Sequence, residues 1–123
     1  MAEKKIIFIA FSIEDERMRD LLKGQSLLNH CPFEYIDMSV KESYDNDWKE
    51  KVRTRIKRSN GIIVLASKNS TTSSGQKWEI ECAKSEGKSI LAIRTYKDDF
   101  TGIAGLTVQP WDWMIIGNFI DRV

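Results

Sequence analysis

Four short apolar runs, each set apart from the next by a helix-length segment, limit this chain to a parallel α/β sheet more than any other feature does. The first, Lys5–Phe11, carries Ile6, Ile7, Phe8 and Ile9 without an intervening polar residue. A continuous β-branched and aromatic run of this length fits a strand buried on both faces. Phe33–Met38 is a second, weaker strand, interrupted by Glu34 and Asp37 in the manner of an edge. Ile62–Ala66 is the third and most apolar run, and Ser89–Tyr96 the fourth.

The intervening segments read as helices. Ser12 offers an N-cap, with Asp15 standing where a capping-box acid would stand. The helix that follows runs to about Leu28, with Met18, Leu21, Leu22 and Leu28 on one side. Trp48, Val52 and Ile56 recur every fourth residue and define a second helix that ends at Ser59-Asn60-Gly61. A polar loop, Ser67–Gln76, leads to a third helix over Lys77–Glu86, and Asp98–Gln109 reads as irregular. Trp111–Val123 closes the chain as a helix led by Pro110. Strand and helix alternating in this way imply parallel pairing through right-handed crossovers. The expectation is a flavodoxin-like, doubly wound α/β sheet of four to five strands, ordered 2-1-3-4, with residues 1–123 as a single domain.

Length and charge narrow the function classes. With 123 residues there is room for one core and not two. Hydrophobic residues at 41% and charged residues at 30% place the chain among ordinary globular domains, away from disorder. The net charge of +1 gives no electrostatic case for nucleic-acid or membrane binding. Lys49, Lys51, Arg53, Arg55, Lys57 and Arg58 alternate with apolar residues, as on a solvated helix face. No apolar stretch approaches the roughly 20 residues that span a bilayer, and the first residues lack a signal-peptide core. Cys31 and Cys82 have no metal spacing and read as free thiols in a reducing cytoplasm. His30, the single histidine, reads as a surface residue.

Chemistry has few carriers here. There is no Gly-rich phosphate loop. Ser67 stands at the end of the third strand, where a phospho-accepting receiver would need aspartate. A Ser-His-Asp hydrolase would need a better-placed histidine. Glu79 is the exception. At about 100° per residue it falls within the helical arc of Trp78, Cys82 and Ala83, so it faces inward, while Glu81 falls outside. An inward carboxylate is costly unless paired or at work on a ligand. The competing explanation is an acid favoured by a helix start, at about 0.3–1 kcal/mol.

Ligands of open α/β sheets bind beyond the carboxyl ends of the strands, where strand order reverses. That locus collects Phe11 and Ser12 after strand one, Asp37–Ser39 after strand two and Ser67–Asn69 after strand three. Amides at the first helix opening, with the Ser12 hydroxyl, are an anion seat, and the same arrangement also serves simple N-capping. Cleavage of an N-ribosyl bond suits one carboxylate. Its oxocarbenium-like transition state is stabilised by an anion, and nicotinamide leaves NAD as a neutral base. Phe11 or Trp78 would be the aromatic shelf.

Phe8-Ile9-Ala10-Phe11-Ser12-Ile13-Glu14-Asp15 resembles the first box of Toll/interleukin-1 receptor (TIR) domains, F-I-S-Y-S-x-x-D, with Ala10 for Ser and Phe11 for Tyr. Ile62–Leu65 through Thr72, then Trp78-Glu79-Ile80 with Ala83, then Gly87-Lys88-Ser89-Ile90, is similar to the bacterial TIR-like family of the Thoeris antiphage sensors. Ser67 or Lys68 stands for that family's Gly after strand three. The resemblance covers about residues 4–96. It implies a TIR-like fold, Glu79 as catalytic glutamate, Thr72 near the ligand, and NAD as a consumed substrate with no permanent cofactor or metal. It also implies self-association in the cytoplasm and a nucleotide signal in antiphage defence, although some TIR domains assemble without catalysing. Nucleoside 2-deoxyribosyltransferases share the geometry and open a similar bond; their D-x-G-T is faintly echoed by Ser73-Ser74-Gly75.

Overall fold

A computed structural model describes residues 5–28, 34–36 and 46–123. Five strands, β1 (Ile6–Ala10), β2 (Glu34–Ile36), β3 (Gly61–Ala66), β4 (Ile90–Arg94) and β5 (Val108–Gln109), form one sheet ordered β2-β1-β3-β4-β5. Every adjacent pair is parallel. Among the described residues four α-helices accompany them: α1 (Glu16–Leu28), α2 (Asn46–Arg58), α3 (Ser74–Ser85) and α4 (Trp113–Arg122). The expected order 2-1-3-4 is thus present and extended by one edge strand.

Period-two alternation sorts the strand side chains between two layers. Ile7, Ile9 and Phe11 join Ile63, Leu65, Leu91 and Ile93 with Leu22 of α1 and Ile116, Phe119 and Ile120 of α4. Phe8, Ala10, Ile62, Val64 and Ala92 face the other way, onto Val52 and Ile56 of α2 and Ile80, Cys82 and Ala83 of α3. Each such fully buried Ile, Leu or Phe contributes about 1.5–3 kcal/mol. Trp111 and Trp113 pack against the first layer, and both indole N–H groups donate to Gln25 Oε1 at 2.9 and 3.0 Å.

Local signals account for several boundaries. α2 ends at Arg58, just before Ser59-Asn60-Gly61 as expected, but Gly61 opens β3 and is not a left-handed cap. Asn60 Oδ1 accepts from the Ile6 amide at 2.9 Å while its own amide donates to the Ile6 carbonyl at 2.7 Å, extending the ladder by a side chain. Lys88 Nζ donates to the Lys57 and Ser59 carbonyls, satisfying orphan acceptors at the end of α2. Gly61 is required by close approach: a Cβ there would lie 3.0 Å from Phe119 Cζ and from Val123 Cγ1. Gly61→Ala is therefore expected to cost about 1–3 kcal/mol in a urea unfolding curve.

Three expectations need correction. Asp98–Gln109 ends in β5, whose two residues pair with Ala92 and Ile93; a strand this short has no readable period. The last helix begins at Trp113, because the Asp112 carboxylate caps it by accepting from the Met114 amide at 2.7 Å, leaving Pro110 outside. The third helix begins at Ser74, not Lys77. Ser73 Oγ accepts from the Gln76 amide at 3.1 Å and so starts the helix three residues early. His30, Cys31, Asp37 and the loop before Asn46 lie outside the described residues, as does the side chain of Trp48.

Candidate functional site

The carboxyl edge of β1, β3 and β4 is built around two buried polar centres. The first is Asp15. A short 3-10 turn, Ile13–Asp15, precedes α1, and Ser12 leads into it without a side-chain cap. The Ser12 hydroxyl donates instead to the Glu14 carboxylate, and Ser12 is fully buried. Asp15 is no capping-box acid either. It has 0% exposure and accepts from Ser67 Oγ at 2.5 Å, Asn69 Nδ2 at 2.9 Å and the Tyr96 hydroxyl at 2.7 Å. One carboxylate thus gathers the segments that follow β1, β3 and β4.

Ser67 has a double part. Its hydroxyl donates to Asp15 and accepts from the Asn69 amide at 3.1 Å, opening a second 3-10 turn over Lys68–Thr71. Asp99 braces the same edge, accepting from the Lys68 amide at 2.6 Å and from the Thr101 hydroxyl and amide. The Thr101 hydroxyl, then the amides of Lys68 and Thr101, hold the Asp99 carboxyl below its ordinary range. Burial pushes the Tyr96 phenol up to about 12, helped by its bond to Asp15 and by the charges of Asp15 and Asp99. The folded value exceeds the ordinary 10.0, so this contribution to stability is complete below that pH and lost as pH rises through about 12. Tyr96→Phe is expected to flatten the alkaline loss, read from urea midpoints at about pH 9 and about pH 11.

The second centre lies under α3. Gln76 and Glu79, one turn apart, are both turned inward, with 0% and 1% exposure. Gln76 Nε2 donates to the Ala10 carbonyl at 3.1 Å and the Leu65 carbonyl at 2.9 Å, at the carboxyl ends of β1 and β3. The inward direction of Glu79 agrees with the sequence reading. In a helix the side chain leans over the preceding turn, toward the helix N-terminus.

The remaining candidates are dispersed around these centres. Phe11 is in the core at 1% exposure, with the Arg19 guanidinium 5.0 Å from its ring centroid. Trp78 is half-buried and turned to α2, where Lys49 Nζ and Arg53 Cζ lie 5.9 and 5.7 Å from its ring centroid. Thr72 is exposed and its hydroxyl donates to the Asn69 carbonyl. Three acids, Glu14, Asp15 and Glu16, crowd the opening of α1 where the anion seat was expected. A groove of about 440 Å³ runs between the outer side of α3 and residues 102–104, lined by Lys77, Ile80, Glu81 and Ile103 among others, without Glu79.

Asp15 and Gln76 are the residues that sequence reasoning missed. Both had signals. Asp15 ends the first TIR-like box, and Gln76 completes an i, i+3, i+4, i+7 set with Glu79, Ile80 and Ala83 once the helix starts at Ser74. Cys82, 3% exposed, has its thiol pushed up by burial. Alkylation at Cys82 is accordingly expected only on unfolding, as peptide mass mapping would show. Among the described residues no group of three or more His, Cys, Asp or Glu is placed to hold a metal. No described helix is long and apolar enough to cross a membrane.

Comparison with known proteins agrees with this architecture. Over 94% of its length the chain superposes on 91% of the TIR domain of the Toll-related receptor TRR-2 from Hydra magnipapillata, with a TM-score of 0.66 and 15% sequence identity. That likeness concerns the fold. No match was found among curated proteins. The profile of the family described as "Thoeris protein ThsB, TIR-like domain" matches residues 8–99, about three quarters of the chain, from within β1 through β4. The chain belongs to this family of Thoeris TIR-like domains.

Proposed function

We propose that this domain cleaves the N-ribosyl bond of NAD, with Glu79 as the carboxylate that stabilises the transition state. The observation that carries the reading is the burial of Glu79 to 1% on the inward side of α3, one turn after a glutamine bound to the ends of β1 and β3. A carboxylate held there meets a ligand in a medium poor in water, where its charge acts most strongly. As the C1′–N bond breaks, its electron pair passes to the pyridinium ring and neutralises it, so nicotinamide departs without a general acid. Positive charge builds on the ribose, opposite Glu79. Water, or a nucleophile within the ADP-ribosyl remainder, then takes C1′ and releases a proton if it attacks as a neutral group.

Phe11, Ser12, Asp37, Ser67, Thr72 and Trp78 are the proposed ligand shell. Thr72 and Trp78 supply its accessible groups, and buried Ser12 and Ser67 back it. NAD is a substrate in this reading, and no resident cofactor is needed. Self-association, a cytoplasmic setting and an antiphage nucleotide signal belong to the same proposal; nucleic acid and membrane have no part in it. The test is incubation with NAD, followed by measurement of free nicotinamide. Exchange of deoxyribose between free bases, with NAD left intact, would replace this reaction by a transferase.

One observation favours a second reading, a non-catalytic assembly module. Glu79 is sealed and does not line the 440 Å³ groove, so a ligand reaches it only after the crevice opens. Absence of turnover in concentrated, assembled protein would favour the module.

A further inference from the structure

β3 runs two residues past the last register pair it makes with β1, Ala10 with Val64. The Ala66 carbonyl is directed to the β4 side, where it accepts from the Thr95 amide at 3.0 Å. Carbonyls alternate in direction along a strand, so that of Leu65 is directed to the β1 side, where the ladder has ended. Ala10 ends its own strand there as well. These acceptors lie where the strands part at the point of order reversal, and a buried carbonyl without a donor is costly.

One group reaches both, and the Leu65 carbonyl has a second, longer donor in the Ser70 hydroxyl at 3.4 Å. The two hydrogens of Gln76 Nε2 go to Ala10 and Leu65, and the residue is wholly enclosed. Its Oε1 is also buried and has no hydrogen-bond partner among the described residues. Methionine or leucine would fill this space without stranding an acceptor. The amide is therefore explained by its donors, which continue the β1–β3 pairing from a helix in the layer above.

We propose that Gln76 is the positioning residue of this site: its amide fixes the first turn of α3 to the split between β1 and β3, and so sets where Glu79 is held. The consequence for catalysis rests on the reading of Glu79 as the reacting carboxylate; the positioning itself does not. Gln76 touches neither substrate nor reacting atoms in this role.

The test uses the whole chain and two kinds of readout. In Gln76→Met, which keeps shape and removes both donors, amide exchange over residues 77–80 is expected to rise about tenfold or more. The Glu79 carboxyl carbon, assigned by its loss in Glu79→Gln, is expected to titrate at a different pH from wild type. If the protein cleaves NAD, kcat falls about 100-fold while KM moves little, as for a group displaced by about 1 Å. Unchanged exchange and unchanged Glu79 titration in Gln76→Met would overturn the proposal, whatever the activity. A shifted titration in a protein that never cleaves NAD would uphold positioning and remove the catalytic reading.

A wild-type measurement covers the case in which the variant does not fold. Scalar couplings across the hydrogen bonds from Gln76 Nε2 to the Ala10 and Leu65 carbonyl carbons are expected for both. Absence of either coupling overturns the inference.

Discussion

Asp15→Ala is expected to be the most destabilising single substitution at the carboxyl edge of the sheet, lowering stability by about 3 kcal/mol or more. Three donors, Ser67 Oγ, Asn69 Nδ2 and the Tyr96 hydroxyl, lose their acceptor at once in a site with no exposure. A buried donor left without a partner costs about 1–3 kcal/mol. Tyr96, 37% exposed, can turn to water, whereas Ser67 at 0% cannot. For a domain of this size the drop in melting temperature is on the order of 10 °C. Asp15→Asn separates shape from charge: its oxygen can still accept from Asn69 Nδ2 and the Tyr96 hydroxyl, and its amide nitrogen can donate to the Ser67 hydroxyl, so the loss should be smaller than in Asp15→Ala. Calorimetry of the two variants checks this, and a melting temperature within a degree or two of wild type for Asp15→Ala would show that the three segments hold together by packing alone.

The second large effect concerns activity. Glu79→Gln is expected to lower nicotinamide release by at least about 100-fold, the scale seen when one electrostatic group is removed from an enclosed site. The substitution keeps the length and branching of the side chain and removes only the charge. KM should change little, because the interaction forms with the charge that develops on the ribose and not with the ground state. Glu79→Asp, with the carboxylate drawn back by one methylene, should fall between the two. Unfolding curves of each variant distinguish lost chemistry from a lost fold.

How far the sequence could be read depended on the length of each signal. The β1 and β3 runs are unbroken and buried on both faces, so their place in the centre of a parallel sheet followed from composition alone. The inward direction of Glu79 followed from its angle to Trp78, Cys82 and Ala83, all of which turn to the α2 side or the sheet. β5 has two residues and is fixed by pairing with β4, a tertiary fact without local pattern. Ser73 was one of many serines in a polar stretch, and only its bond to the Gln76 amide identifies it as the cap. That single boundary hid Gln76, which appeared to belong to a loop. Asp15 was misread for a related reason. Position fits a capping acid equally well, and what distinguishes it is three donors from residues 52 to 81 positions away.

The two centres therefore divide the work at this edge. Asp15 ties the loops after β1, β3 and β4 into one rigid rim, and Gln76 ties α3 to the gap between β1 and β3. Glu79 lies buried one turn further along the same helix. Family membership places the chain among TIR-like domains, and the geometry supports a reaction at one carboxylate.

The most direct measurement is a side-by-side incubation of wild-type protein and Glu79→Gln with NAD at high protein concentration, with nicotinamide and the ADP-ribosyl product quantified over time. Release of nicotinamide by wild type, reduced at least about 100-fold in the variant, is the predicted result. Equal release from both proteins would contradict the role given to Glu79, and intact NAD with folded, assembled wild type would contradict the reaction itself.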